Sequence, residues 1–370
     1  MQDNYLLSGV ENIDRILGVT QMKEIDSLLK ISEKQIKEKT QVIYLYNKKA
    51  DNLSDDYRDF SVLSEYLDLA EIGEIANSII SAGFSLHEFN NELDFINYVI
   101  KNKTEFDKNK YIIVNNIQTG TKIGRKSLIP AFCDMINIPY TNSNPYVVSL
   151  CRNKYHCNCI LENHNLPVPK TWLLTRKKKW LNKETPLDLK VLLKPNCESS
   201  SIGIDDTNIS KFSNDILSKA FKMCKEFRQD IIAQEFISGY EVEVPLIYFH
   251  QPISLKTVGI EIDNEAYLGN KILTNRIRSI DEYNFFDFSN IYNDISKVIR
   301  KTAEKAAEIL GITGFGRIDF RVKTNGDIYI TDISTNPHIH KLSSFYYAFN
   351  SLGYNYQDMI KCLIAIALKN

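Results

Sequence analysis

Apolar and polar residues alternate on both sides of Asn325-Gly326, in the run GRIDFRVKTNGDIYITDISTNP over residues 316–337. Asn-Gly between alternating runs is a strong hairpin signal, because both residues tolerate the backbone of a tight turn. A two-residue turn sets Thr324 against Asp327, hence Asp319 against Asp332 and Arg317 against Ser334. Side chains alternate faces along a strand. Ile318, Phe320, Val322, Tyr329, Thr331 and Ile333 then share one face, and Arg317, Asp319, Asp332 and Ser334 the other. Directly opposed carboxylates repel. The pair is tolerable if solvated, if one member is protonated, or if a cation sits between them. Oxygen ligands on a rigid sheet suit Mg²⁺, which takes one or two carboxylates and completes its shell with water and phosphate oxygens.

Elsewhere the pattern alternates short apolar runs with helical periodicity. Gln41 to Tyr46 and Tyr111 to Val114 read as buried strands, with a short strand from Ile138. Ser64 to Ala82 has helical spacing and stops at Gly83, and Ala131 to Ile136 is helical. This alternation predicts a small α/β unit with a parallel sheet. Pro145 to Asn163 reads as one helix carrying Lys154, and Thr171 to Leu174 as a strand. A strand from Val191 then delivers Lys194 into the small-residue run PNCESSSIGI. Small residues let backbone amides approach a phosphate, and a lysine adds a point charge. Lys211 to Phe227 is helical, Ile231 to Ile237 and Glu241 to Ile247 are strands, and Glu241 and Glu243 share a face. Residues 253–262 form another strand, 265–288 a polar, aromatic lid, and Tyr292 to Leu310 an amphipathic helix closed by Gly311. Tyr356 to Leu368 is a final helix, and residues 1–40 read as a polar helical extension.

Composition changes this picture little. The chain has 370 residues and a formal net charge of −1, so it shows no electrostatic footprint for nucleic acid or an anionic membrane. The runs Lys177-Lys178-Lys179 and Lys108 to Lys110, and the acidic stretch 51–60, read as solvated loops. No stretch approaches a membrane span and the first residues do not resemble a signal peptide, which points to the cytoplasm. Seven cysteines lack a spaced framework and are expected as thiols. Cys151, Cys157 and Cys159 with His156 fit no common zinc spacing.

The order of these pieces resembles the ATP-grasp superfamily, and within it the D-alanine–D-alanine ligases, over roughly residues 41–370. The matching stretches are Lys154 on its helix, KPNCESSSIGI, QEFISGYEVEV, the lid around Lys271, GFGRIDF and DISTNPHIHKLSS. The resemblance implies an α/β fold, α+β in the ATP-grasp part. After the helical extension at 1–40, it implies an N-terminal parallel α/β domain at 41–144, a central ATP-grasp subdomain at 145–235 and a C-terminal ATP-grasp domain at 236–370. Lys154, Lys194 and the lid's Lys271 would contact ATP phosphates, under a loop containing Ser200 and Ser201. Gln234, Glu235 and Ile237 would line the adenine, and Glu241 would hold the ribose. Asp319, Asp332 and Ser334 would bind one or two Mg²⁺ ions, with Mn²⁺ as a substitute. Arg317 would stabilise charge on the reacting carboxyl group, Glu65 would grip a substrate ammonium, and Ser343 would lie near the second substrate's carboxylate.

The implied activity joins a small-molecule carboxylate to an amine, amino acids or peptides, at the expense of ATP, in a homodimer without nucleic-acid or membrane partners. The sequence departs from the family at the substrate end. VNNIQTGTKIG, residues 114–124, lacks the family's histidine and acidic residue. Ser199 and His338 stand where glycines are usual, Ile272 where a tyrosine is, and Ser334 where a metal-binding asparagine is. His338 is a candidate acid–base group or a structural residue. The sequence therefore points to a ligase whose acid differs from D-alanine. A D-alanine–D-alanine ligase of cell-wall synthesis and a non-catalytic ATP-binding module are the alternatives.

Overall fold

The computed structural model describes residues 21–49, 65–106, 110–120, 122–177, 189–274, 276–277 and 282–368. The acidic stretch 51–60, residues 1–20 of the extension, part of both lysine runs and part of the lid lie outside the described residues.

The first unit is a three-stranded parallel sheet in the order β2-β1-β3, from β1 (Gln41–Tyr46), β2 (Ser85–Phe89) and β3 (Tyr111–Asn116). Alternate residues of β1 feed two cores. Val42 and Tyr44 pack on one side with helix α2 (Leu69–Ser81), whose N-terminus Asp68 and Glu71 close as a capping box. Ile43 and Leu45 pack on the other with α3 (Glu92–Lys101) and α4 (Leu128–Ile136).

The extension is not a detached polar arm. Helix α1, residues 21–37, buries Ile25 and Leu28 completely in the same core as Val42 and Ile75. That core also takes α9 (Ser344–Ser351) and α10 (Tyr356–Ile366), through Phe345, Ile360 and Leu363. The first sheet is thus covered partly by helices from the far end of the sequence.

Between these lies a second, antiparallel sheet in the order β4-β7-β5-β6: β4 (Thr171–Leu174), β5 (Lys190–Pro195), β6 (Ile209–Lys211) and β7 (Ile231–Glu235). Helix α7 (Asn214–Glu226) packs Ile216, Ala220 and Met223 on it. The third sheet runs β11-β10-β8-β12-β13, with β9 beside β8: β8 (Tyr240–Tyr248), β9 (Pro252–Ser254), β10 (Val258–Glu261), β11 (Asn284–Asp287), β12 (Phe315–Val322) and β13 (Ile328–Ser334). Helix α8 (Asn293–Leu310) lays Ile299, Ala303 and Ala306 against its apolar face and ends at Gly311, at φ 72.

Three expectations change. The helix expected over 145–163 is two, α5 (Pro145–Arg152) and α6 (Lys154–Asn163), because Asn153 leaves the helical region and caps the second through its bond from His156 N–H. The strand expected over 253–262 is β9 and β10. The hairpin loop is longer than two residues: Lys323 N–H donates to Asp327 O at 2.9 Å and Gly326 N–H to Lys323 O at 3.0 Å, with Gly326 at φ 91. Phe320 therefore faces Ile330, and Val322 faces Ile328, one residue off the expected pairing. A bulge then inserts Thr331, whose hydroxyl donates to Asp319 O at 3.2 Å, and restores the expected register at Asp319–Asp332 and Arg317–Ser334. The β13 residues that pack in this core are accordingly Ile330, which is buried, and Ile328, which is partly buried, not Tyr329 and Thr331.

Candidate active site

One cleft of ≈ 1400 Å³, including its open mouth, lies between the second and third sheets and reaches the first domain. Its floor is the polar face of β8, β12 and β13. Antiparallel register sets Glu243 opposite Asp319 and Asp319 opposite Asp332, so three carboxylates form a row across three strands. Arg317, two residues from Asp319 on the same face, gathers two of them. Its Nε and Nη2 donate to Asp319 Oδ1 and Oδ2 at 2.7 and 2.8 Å, and its Nη1 lies 3.1 Å from Glu243 Oε2. Burial, together with Glu243 and Asp332, still pushes the Asp319 carboxyl up, against the pull of Arg317. Burial acts on Asp332 the same way, but Lys154 and Lys194 outweigh it and hold that carboxyl low. Opposed oxygens of this kind, with one carboxyl short of positive charge, suit a hard divalent cation. Ser334 lines the cleft beside them.

The two lysines come from separate elements. Lys154 opens α6 immediately after the Asn153 break, its N–H donating to Asn196 O, and its Nζ lies 2.6 Å from Asp332 Oδ1. Lys194, near the end of β5, reaches Gln234 Oε1 on β7 at 2.9 Å. Burial, reinforced by the nearby Lys154 charge, depresses Lys194 to about 8. Gln234, Glu235 and Ile237 continue the wall to Glu241.

Arg321, which the sequence reading did not single out, anchors this end. Its Nε donates to Ile237 O at 3.0 Å, Nη2 to Gly269 O and Lys271 O at 2.8 and 3.2 Å, and Nη1 lies 3.1 Å from Glu241 Oε2. It continues the alternation Arg317, Asp319, Arg321, which was the available signal. Lys271 itself is turned away. Its Nζ pairs with Glu265 at 2.8 Å and Asp263 at 3.3 Å, while its neighbours Ile272 and Leu273 line the cleft.

The small-residue loop closes over the site. Ser200 and Ser201 both take left-handed backbone, at φ 54 and 55, a strained choice for residues with a Cβ. Ser201 Oγ donates to Leu273 O at 2.8 Å, joining this loop to the lid segment. Gly203 is obligatory: at φ 74, a Cβ would meet the Phe227 ring at 2.6 Å.

Glu65 belongs to a buried ion-pair cluster. It lines the cleft, but its oxygens are taken by protein cations, Lys126 Nζ at 3.0 Å and Arg125 Nη2 at 3.3 Å. Burial opposes its charge, yet Lys126, Arg125 and Arg152 hold it well below the usual range. Arg125 also reaches Glu198 at 3.2 Å, and Gln229 Nε2 donates to Glu198 at 2.8 Å. This buried group joins the first domain to the loop before Ser199. Arg125-Lys126 follow the stretch that ended at Gly124, and nothing in their local pattern pairs them with Glu65.

His338 lines both the cleft and an adjoining pocket that shares Ser200 and Arg317 with it and contains Ser343. Ser343 is occupied as a cap, its Oγ accepting from Tyr346 N–H at 3.2 Å. His340 Nδ1 accepts from Leu342 N–H at 3.1 Å. Cys151 and Cys157 are buried in the core under α5 and α6 while Cys159 is exposed, so these thiols converge on no metal-ligand set among the described residues.

Comparison with known proteins agrees with this geometry. The family described as "D-ala D-ala ligase C-terminus" matches residues 160–365. The D-alanine–D-alanine ligase of Desulforamulus reducens is 25% identical over 295 residues, covering 74% of this chain and 88% of the relative. That of Bordetella pertussis is 25% identical over 246 residues, covering 66% and 75%. The crystal structure of the Bacillus anthracis D-alanine–D-alanine ligase complexed with ATP superposes with a TM-score of 0.66 at 16% identity, over 89% of this chain and 98% of that one. No described helix is long and apolar enough to cross a membrane. With the family's C-terminal domain matched over more than half of this chain, the chain belongs to the D-alanine–D-alanine ligase family, on an ATP-grasp fold.

Proposed function

We propose that the protein is an ATP- and Mg²⁺-dependent ligase that joins a carboxylate to an amine through an acyl phosphate. The observation that carries this reading is the convergence of Lys154, Lys194, Arg317, Asp319 and Asp332 on one cleft from distant parts of the chain. Lys154 and Lys194 bind and orient the phosphates of ATP, with Ser200 and Ser201 over them, as point charges and amides suit phosphoryl groups. The backbone of Glu235 and Ile237 meets the adenine, and Glu241 the ribose. Asp319 and Asp332, with Ser334, would hold Mg²⁺, which would neutralise charge developing on the transferring phosphoryl group. Lys271 would join the phosphates only by leaving Asp263 and Glu265.

In the first step a substrate carboxylate oxygen attacks the γ-phosphorus, the bond to the bridging oxygen breaks, and ADP leaves. In the second the amine attacks the acyl carbon, the C–O bond to phosphate breaks, and phosphate leaves. Arg317 would stabilise the oxyanion of that second step, and His338, which lines the same cleft, would take the proton the amine loses. Removing one such oxyanion donor typically costs about 3–4 kcal/mol of barrier. The fold resemblance supports a homodimer, and dependence on ATP a cytoplasmic setting.

The test is phosphate release from MgATP across acids and amines, with mass spectrometry of products. Release that depends on a particular pair, with a product lighter than their sum by one water, supports the ligase. ATP binding without release for any pair rejects it in favour of a nucleotide-binding module.

A further inference from the structure

At the first-domain end of the cleft, Gln118 presents an acceptor that no described residue uses. Its side chain is only 5% exposed, and it lines the cleft with Glu65 and Lys126. Its Nε2 donates to the Glu65 backbone carbonyl at 3.3 Å, which fixes which end of the amide is which. Its Oε1 is buried and receives no donor among the described residues. Asn116 Oδ1, two residues earlier and also lining the cleft, is buried without a partner as well. A buried acceptor left unmade is costly, so an orphan facing a substrate cleft marks where a ligand donor belongs.

The electrostatics say which donor. Arg125, Lys126 and Arg152 stand here against the carboxylates of Glu65 and Glu198, and a third buried carboxylate, Glu92, accepts from the N–H of Thr119 beside Gln118 at 2.6 Å. Glu65 Oε1 accepts from Ser199 N–H and lies 3.3 Å from Arg125, while Oε2 is ion-paired with Lys126 at 3.0 Å but takes no hydrogen bond among the described residues. An ammonium would bring a further positive charge into this buried region and would have to share the Glu65 carboxylate with Lys126 and Arg125. A neutral group does better if it also accepts, because the Lys126 ammonium has a third N–H beyond its contacts with Glu65 and Ser199.

We infer that the acid activated in this cleft carries a neutral donor–acceptor group, a hydroxyl or a secondary amide, where a free amino acid carries its ammonium, and that Gln118 Oε1 receives it. This rests on the ligase reading and names the substrate class of that site.

The full-length protein is incubated with MgATP and hydroxylamine. The nitrogen of hydroxylamine attacks the acyl phosphate, expels phosphate and leaves a hydroxamate. Matched acids are compared on two skeletons and in both hands: alanine, lactate and N-acetylalanine; phenylalanine, phenyllactate and N-acetylphenylalanine. A neutral acid should exceed its ammonium counterpart by about tenfold or more in kcat/KM. The faster neutral acid tells hydroxyl from amide. Gln118→Glu should move the ratio toward the amino acid by about tenfold. Gln118→Met, close in shape and without the acceptor, should lower the neutral acids about tenfold while ATP affinity holds. Preference for free amino acids by the unaltered protein, or an unchanged ratio in both variants, overturns the inference and leaves the ligase standing. Absence of ADP and hydroxamate with every acid, while ATP binds, overturns the ligase reading and this inference with it.

Discussion

Lys154 Nζ lies 2.6 Å from Asp332 Oδ1, across 178 residues of sequence. The contact ties the first turn of α6 to β13, and so joins the side of the cleft proposed for phosphate to its carboxylate side. ATP with its metal would have to divide this pair, taking Lys154 for phosphate and Asp332 for the cation.

Asp332→Asn should therefore abolish phosphate release while leaving the fold intact. Loss of a hydrogen bond to a charged group costs about 1.5–3 kcal/mol, and partial exposure of Asp332 places this one toward the low end. Circular dichroism and urea unfolding check the fold, and a coupled phosphate assay the turnover. Full activity in this variant would remove Asp332 from the metal site.

Lys194 sets a pH dependence. Its depressed value of about 8 in the free protein means that phosphate binding, which favours the charged form, takes up a proton above that pH. ATP affinity should fall as pH rises past about 8, and Lys194→Gln should bind weakly with a flat profile. Linkage to folding runs the opposite way. The unfolded chain holds this proton up to the ordinary lysine range, so between there and about 8 the group's contribution to stability rises with pH. Isothermal titration across pH 7 to 9.5 reads the first effect, and urea midpoints the second.

Arg321→Met should loosen the lid segment. The change frees the carbonyls of Ile237, Gly269 and Lys271 and leaves Glu241 without its cation. Breaking a buried ion pair costs about 3–5 kcal/mol. The KM for ATP should rise and proteolysis near residue 270 should quicken; Arg321→Lys should rescue little, because one ammonium cannot reproduce the fork.

Glu65→Gln should destabilise at neutral pH by about 3–5 kcal/mol, since Lys126 and Arg125 lose a buried counter-charge. The Glu65 carboxyl is depressed in the folded state, so its contribution is present above the ordinary glutamate range and fades as pH falls through it. Urea unfolding curves of variant and parent should converge toward low pH.

The sequence made the strongly patterned parts legible. The opposition of Asp319 and Asp332 is read correctly although the loop is longer than two residues, because the bulge at Thr331 shifts the register back by the same amount. Nothing in Thr331 itself announces that bulge. Strand β2 escaped because SLHEF is mostly exposed and carries no apolar run, and α9 because its aromatic sequence has no clear helical stripe. Asn153 divides a stretch whose periodicity looks continuous, and only the cap to His156 reveals it. The ion pairs of Glu65 were not legible for a different reason. Its partners at 125 and 126 are brought to it by tertiary packing alone, and a carboxylate's availability depends on what else is buried with it.

The shared core of α1, α2 and α10 bears on how the chain is made. Val42, Tyr44, Ile72 and Ile75 emerge from a ribosome long before Ile360 and Leu363, which cover the same core. At about 5–20 residues per second the delay is on the order of tens of seconds. Throughout it the first sheet has one apolar side incompletely shielded, a natural docking place for a holdase during synthesis. Completion of the earliest domain is thus postponed until nearly the last helix has been translated, and the cleft it borders acquires its final walls together with it.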